Sequence, residues 1–320
     1  MLQLFVVASL SYCFNENINS GRSYYVIADN VEVFGCFFER SSTFSNNGSV
    51  ICLSGLGCSL SVTECVFNSC KIASGTNLFG GAIYFQSMDC KISKTCALDC
   101  NAGEYRGHFA YLNTYNNKNN TILFLSMSKC SNTGQGYYPI RVSRGIQTYD
   151  NSNTSNNKAY WGSGFLSENA DKINSMYSSF YQNEASNLIS LQFYNSTGTV
   201  GSSNIIRNSS PNGYGVIYIN SKGDILFHQS IILSNSGSLV YLNPGKLSFL
   251  FCYIQHVSLA TTYMQSCVYH SSIVTSTYNL EHFSTFLCYT PPIITSFVSH
   301  NSKSRWVSIN IFVFSSVINI

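Results

Sequence analysis

Charge is what this chain has least of: only 10% of its 320 residues are Asp, Glu, Lys or Arg, against about a quarter in ordinary globular domains. Its surface must therefore be covered by uncharged polar groups, and Asn, Ser and Thr are abundant throughout. The net charge of +3 is spread without a run or stripe of Lys and Arg, which argues against a nucleic-acid partner. Long apolar runs are missing as well. The most apolar stretch, "WVSINIFVFSSVINI", covers 15 residues, 306–320, and contains Asn310 and Asn319, whereas a spanning helix needs about 20 mostly apolar residues. No C-x-x-C pair, G-x-S-x-G element, Walker loop or H-E-x-x-H helix occurs, so the common zinc, acyl-transfer and nucleotide signatures are all lacking.

A hydrophobic fraction of 45% with 14% aromatics is ample for a packed core and excludes a disordered chain. Thirteen cysteines without metal-like spacing point to an oxidising compartment. The N-terminus agrees. Residues 1–13 read as a signal peptide, with the apolar run "LQLFVVASL" and small residues Ser11 and Cys13 before a cut ahead of Phe14. A buried first strand is the competing reading of so short a run. Removing Cys13 would leave 13 − 1 = 12 cysteines, an even number. Sequons at Asn47, Asn119, Asn153, Asn195 and Asn208 are candidate glycosylation sites and fit an extracellular or cell-surface location.

The chain repeats. "GGAIYF" (80–85), "GHFAYL" (107–112), "GSGFLS" (162–167), "GYGVIYI" (213–219) and "SGSLVYL" (236–242) share a small-residue corner followed by alternating apolar positions. Strand starts at Val50, Ala82, Phe109, Ile140, Phe165, Ile189, Val216 and Val240 give gaps of 32, 27, 31, 25, 24, 27 and 24. Upstream of four corners an apolar residue is followed three positions later by Asn, at Phe44/Asn47, Phe180/Asn183, Ile205/Asn208 and Ile232/Asn235. A period in the twenties with apolar residues at every second position predicts stacked strands, one coil per repeat, of a parallel β-helix. The spacing places Gly80 and Gly81 at a sharp corner where positive φ is needed. It places Asn47, Asn183, Asn208 and Asn235 in a turn stack whose amides bond from coil to coil. Cys58, Cys65 and Cys70 recur as Cys90, Cys96 and Cys100, at separations of 32, 31 and 30. Cys36 and Cys130 extend these columns. Rung-to-rung disulfides and buried free thiols are both open readings, since stacked strands about 4.8 Å apart satisfy disulfide reach. The fold expected is all-β, a single-stranded right-handed parallel β-helix of about 9–10 coils over residues 14–292, with a tail at 293–320.

Acids are scattered. The nearest groupings are Asp89 with Asp99, Glu168 with Asp171, and Glu104 with Arg106 and His108; none pairs carboxylates as acid–base cleavage requires. No catalytic residue, metal ligand or cofactor is assigned. Tyr137-Tyr138 and Tyr160-Trp161 are candidate exposed aromatics for stacking on sugars or anchoring proteins.

Gly80-Gly81-Ala82-Ile83 and the four apolar-x-x-Asn units resemble the GGA[I/L/V] and FxxN repeats of chlamydial polymorphic outer-membrane proteins. The pattern is more similar to the Cys- and Asn-rich right-handed β-helix surface proteins of trichomonad protists, in which a C-Y-T-P-P element ends the coils, as Cys288-Tyr289-Thr290-Pro291-Pro292 does here. That resemblance covers residues 14–292. It implies surface display and an adhesive or antigenic role toward host or extracellular proteins or glycans, and no catalytic residues. After Pro292 the chain departs from the pattern, with neither a Pro/Thr-rich stalk nor a clear anchor. A lyase or hydrolase acting on polysaccharide, and an inert coat protein, are the alternatives. Protein recovered from a eukaryotic secretory host should lose mass with peptide-N-glycosidase; a reduced, unglycosylated cytosolic protein in its native cell would contradict the secretory reading.

Overall fold

The computed structural model describes residues 5–6, 30–43, 47–55, 57–72, 78–131, 134–186, 189–211, 215–255, 268–269 and 288. The proposed tail 293–320, Phe44, Cys13, Cys267, the signal segment apart from Phe5–Val6, and the C-Y-T-P-P element apart from Cys288 lie outside these residues. Every regular element among the described residues is a β-strand, and successive coils pair in parallel. The molecule is a β-solenoid with three faces, as the period implied.

In chain order, the first sheet begins at Asn30–Phe34 and stacks Val31, Leu60, Cys90, Asn120, Gln147, Ile173, Gly198, Ile225 and Leu247 over one another. The second begins at Phe37–Glu39 and stacks Phe38, Phe67, Ala97, Met127, Thr154, Phe180, Ile205, Ile232 and Ile254. The third begins at Ile51–Ser54 and stacks Ile51, Ile83, Ala110, Ile140, Phe165, Leu191, Ile217 and Val240. Eight rungs there enclose seven turns, 8 − 1 = 7. The strand starts read from sequence lie within two residues of these rungs in every coil. Phe5–Val6 pairs antiparallel with Phe34 and Val33 at the N-terminal end.

Alternation turns one apolar side chain per pair inward, and the interior fills with rings as well as aliphatics. Phe38 stacks on Phe67 with centroids 4.9 Å apart, Tyr149 lies 4.9 Å from Phe165, and Phe227 lies 5.5 Å from Phe249. Aromatic pairs at this spacing contribute about 0.5–1.5 kcal/mol beyond their burial.

The corners are where the sequence is most specific. Leaving the second sheet, Ser69, Asp99, Lys129, Asn156, Gln182, Arg207 and Ser234 all have positive φ, from 50° at Asp99 to 55° at Ser69. The next residue in each case points inward: Cys70, Cys100, Cys130, Asn157, Asn183, Asn208 and Asn235. These form one column. Nδ2 of Asn157, Asn183 and Asn208 donates to Oδ1 of the next Asn at 3.0, 3.0 and 3.2 Å. The same Oδ1 atoms accept the backbone N–H groups of Asn157, Asn183 and Asn208 at 3.2, 3.1 and 2.8 Å. Nδ2 of Asn183 and Asn208 also donates backward, to the carbonyls of Thr154 and Phe180. Cys70 and Cys100 donate their S–H groups to the equivalent carbonyls of Phe38 and Phe67, at 3.7 and 3.6 Å. Thiol and amide thus occupy one position and serve one set of acceptors.

The corner between first and second sheets repeats the device with hydroxyls. Ser152, Ser178 and Ser203 donate N–H to the Oγ of the next serine at 3.3, 3.2 and 3.3 Å, each behind a residue with positive φ, Asn151, Tyr177 and Ser202. Cys36, Cys65 and Cys252 sit at the equivalent places near the ends. The turn into the third sheet uses the expected glycines: a Cβ on Gly80 would stand 2.0 Å from the Ile83 carbonyl oxygen, and one on Gly81 1.9 Å from that of His108.

Two expectations change. Asn47 lies outside the amide column; its Oδ1 caps the Phe79 N–H at 2.7 Å, at the glycine corner. The cysteine columns also need re-registration. Cys70 and Cys100 do stack, but Cys90 pairs with Leu60 and Cys96 with Val66, so neither lies over Cys58 or Cys65. Spacing misled because a coil of variable length shifts a cysteine between inward and outward positions. Replacing Asn208 by Ala strips Asn183 of the acceptor for both its N–H and its Nδ2, and should lower unfolding stability by about 2–3 kcal/mol. The exposed strand substitution Lys172→Thr should stay within about 0.5 kcal/mol, both read from chemical denaturation.

Candidate binding face

The outer side of the third sheet differs from a plain polar wall. Residues adjacent to the inward rung point away from the core and align from coil to coil as Tyr84, Tyr111, Arg141, Leu166, Gln192, Tyr218 and Tyr241. Tyr84 and Tyr111 stack with centroids 5.5 Å apart and planes 20° from parallel. Arg141 lies 4.9 Å over the Tyr111 ring, and Tyr218 packs 5.4 Å from Tyr241. A flanking lane runs through the bridges Phe79–Arg106–Tyr137. Phe79 approaches Tyr111 to 5.0 Å, Arg106 sits 5.3 Å over Tyr137, and Tyr137 lies 5.6 Å from Trp161. The opposite lane supplies amides, among them Gln86, Asn113, Asn220 and Asn243.

Rings stacked along the axis present their edges and hydroxyls outward, so the Tyr84–Tyr111 pair offers hydrogen bonding more than a flat platform. The Tyr84 hydroxyl donates to Gln86 Oε1 at 2.7 Å. Burial, with the neighbouring Tyr111 and Cys52, pushes its phenol up to about 12, which keeps it a donor at neutral pH. Arg141 is tied down: its Nε donates to Glu168 Oε2 at 2.9 Å and its Nη2 reaches the same oxygen. Both partners are largely buried, with side-chain exposures of 8% and 20%. Arg106, by contrast, has no ion-pair partner among the described residues. Of the aromatics picked out by sequence, Tyr137 and Trp161 belong to this face and Tyr160 is exposed. Tyr138 is buried, its hydroxyl donating to Gln192 Oε1, because the positive φ at Tyr138 turns its side chain along the sheet.

The carboxylate groupings suggested by the sequence come apart. Asp89 accepts from the Asn119 N–H at 2.7 Å, Asp99 pairs with Lys71 at 3.4 Å, and Asp171 accepts from the Asn117 N–H at 2.6 Å. Glu104 is exposed while His108 is fully buried, so the shared strand face that alternation predicts for Glu104, Arg106 and His108 does not form. Among the described residues no three His, Cys, Asp or Glu side chains gather to hold a metal ion. Cys58, Cys65, Cys70, Cys90 and Cys100 carry free thiols, and burial pushes those of Cys70 and Cys90 upward. Cys96 is bonded, to Cys288. Of the sequons, Asn119 and Asn195 are exposed. Asn208 is enclosed in the amide column, so a glycan there requires the corner to open, and Asn153, in a strand of the second sheet, is buried. Asn47 is half-buried.

His108 yields a pH dependence. Its Nδ1 accepts the Ala102 N–H at 3.1 Å, and burial pushes the imidazole down to about 3. Between the unfolded value near 6.5 and about 3, the unfolded chain binds a proton that the folded one refuses, so stability falls as pH drops through that window, by up to about 1.4 kcal/mol per unit. Urea unfolding at pH 7 and pH 5 should show this loss, and His108→Asn should lessen the difference.

Comparison with protein-family models, with curated proteins and with solved structures gives no match, and the face is read from its own chemistry.

Proposed function

We propose that the protein is a non-enzymatic interaction scaffold, secreted or displayed at the cell surface, whose third-sheet outer face meets extracellular or host proteins or glycans in an adhesive or antigenic role. The observation that carries this reading is the strip of aromatic, arginine and amide side chains on the third sheet, open at Tyr84 and Tyr111 and again at Tyr241, with Arg141, Leu166, Gln192 and Tyr218 between them only 5–8% exposed. Tyr, Trp and Arg are the residue types that dominate binding energy at interfaces. A rigid solenoid holds them in fixed register, so little ordering is lost when a long partner lies along the axis. The unpaired Arg106 guanidinium, stacked on Tyr137, favours partners with carboxylate or other anionic groups.

A polysaccharide lyase or hydrolase on the same scaffold is the second reading, and the Glu168–Arg141 pair in this face is what favours it. Glu168 is however neutralised by Arg141, and glycoside hydrolysis ordinarily takes two carboxylates. Purified protein screened on glycan arrays and on host cells should bind saturably. Arg106→Ala, and separately Tyr84→Ala combined with Tyr111→Ala, should weaken that binding about tenfold or more, about 1.4 kcal/mol. Depolymerisation of a pectin-like substrate would establish the enzyme instead, and absence of any saturable binding would leave an inert coat.

A further inference from the structure

The outward lane at the end of the first sheet carries Met176, Gly201, His228 and Leu250 on successive rungs. Each is the last residue before a corner, because Tyr177, Ser202, Gln229 and Phe251, which follow them, all have positive φ. Backbone bonds hold that register. The Tyr177 N–H donates to the Gly201 carbonyl at 3.1 Å, and the Ser202 N–H to that of His228 at 3.0 Å. The Met176 N–H is held in turn by Asp150 Oδ1 at 2.8 Å. Ser175, Val200 and Phe227, one residue earlier in each strand, are buried in the interior. Met176 and His228 therefore stand on the outer wall, both half-buried, with their backbones two rungs or about 9.6 Å apart along the axis.

Gly201, on the rung between, lets the two side chains meet. Its φ is not positive, so the backbone there does not call for glycine; the space does. A Cβ on Gly201 would lie 2.2 Å from His228 Nε2 and 2.7 Å from Met176 Sδ. The nitrogen and the sulfur are thus no more than 4.9 Å apart (2.2 + 2.7). Gly201 is buried although it belongs to the outer lane, because these two side chains lean over it from either side. Neither ring nitrogen of His228 has a hydrogen-bond partner among the described residues, where only its carbonyl accepts, from Ser202 and Ser230. No third His, Cys, Asp or Glu gathers with the pair among those residues.

We propose that Met176 and His228 form a surface site for a soft monovalent cation, copper(I), held between Sδ and Nε2 across the gap that Gly201 leaves. A thioether and an imidazole are neutral donors, and the thioether is soft. Calcium and magnesium take oxygen ligands, and structural zinc takes four ligands drawn from thiolate, imidazole and carboxylate. Thioether donors select copper(I), and imidazole also suits copper; a filled-shell monovalent ion is content with two donors in line. Bonds of about 2.0 Å to nitrogen and 2.3 Å to sulfur ask for donors about 4.3 Å apart, which half-buried side chains reach by small rotations. The site rests on the three-coil register and not on any one strand, so it exists only in the folded solenoid.

Silver(I), which shares the charge and softness of copper(I) and does not change oxidation state in solution, is the probe. The full chain is labelled with carbon-13 at its methionine methyls, its accessible thiols are capped with N-ethylmaleimide, and silver is titrated in. Of the five methionine methyl signals, that of Met176, assigned by its loss in Met176→Leu, should move with silver and stay in place with calcium. Gly201→Ala is the discriminating variant. Its Cβ meets only the ends of two flexible side chains, so the fold stands, which thermal unfolding checks, while the gap is filled. Both Gly201→Ala and His228→Gln should weaken the silver response of Met176 by about tenfold or more. A Met176 methyl that silver does not move would overturn the site. So would a response undiminished in His228→Gln or Gly201→Ala, since the thioether would then act without the imidazole.

Discussion

The structure depends on a hydrogen bond that runs along the axis at its corners. In each coil the chain must leave a sheet, reverse a backbone angle into the left-handed region, and bury the amide that follows. Non-glycine residues enter that region at a cost of about 1 kcal/mol or more, and a buried N–H without an acceptor costs more still. Both are offset by one side chain from the next coil: Asn183 for Asn157, Asn208 for Asn183, Asn235 for Asn208. The acceptor always belongs to a neighbour, so no coil is satisfied alone. Cooperativity in this protein is therefore written into its corners as much as into its apolar interior.

Because the corners are fixed from inside, the outer walls are free to differ. The first sheet presents a mixture of polar, charged and apolar side chains, among them Ser61, Lys91 and Ile146, the outward lane of the second is largely buried, and the third carries stacked tyrosines with arginine. Low overall charge follows from the same stacking. Rungs about 4.8 Å apart would set like charges in columns, and a wall of Ser, Thr and Asn avoids that repulsion. Some of the charges that do occur pair across adjacent coils, as Lys94 with Glu64 and Lys158 with Glu184.

Much of this was legible in the sequence, and the parts that were not have physical reasons. Alternation and the Gly80–Gly81 corner locate the third sheet because a strand start needs both a small residue and a period of two. Asn183, Asn208 and Asn235 mark their column because each follows an apolar residue at fixed distance within a short strand. Spacing alone marks Cys70, Cys100 and Cys130 as one column, but that they fill the asparagine position of earlier coils was not legible, because a donor S–H and a donor amide share no letter. The pattern that unites them is Ser, Thr or Cys followed five residues later by Asn or Cys, as in Ser178 to Asn183, Cys65 to Cys70 and Thr95 to Cys100. Arg141 with Glu168 was not legible, since 27 residues separate them and only coil stacking brings them together. The bond from Cys96 to Cys288 lay further still from any local signal.

The passage from Cys130 to Asn157 in the corner column has a consequence for how such a chain can change length. Cys130 donates its N–H to Asn157 Oδ1 at 2.8 Å, the same bond that Asn157 makes to Asn183. Among the asparagine coils donor and acceptor are therefore interchangeable, and one such repeat can be gained or lost without leaving the corner N–H unmet. Duplication and excision of coils become neutral events so long as they respect that frame, while an insertion elsewhere is confined to a loop. The molecule is a ruler whose divisions can be added one at a time.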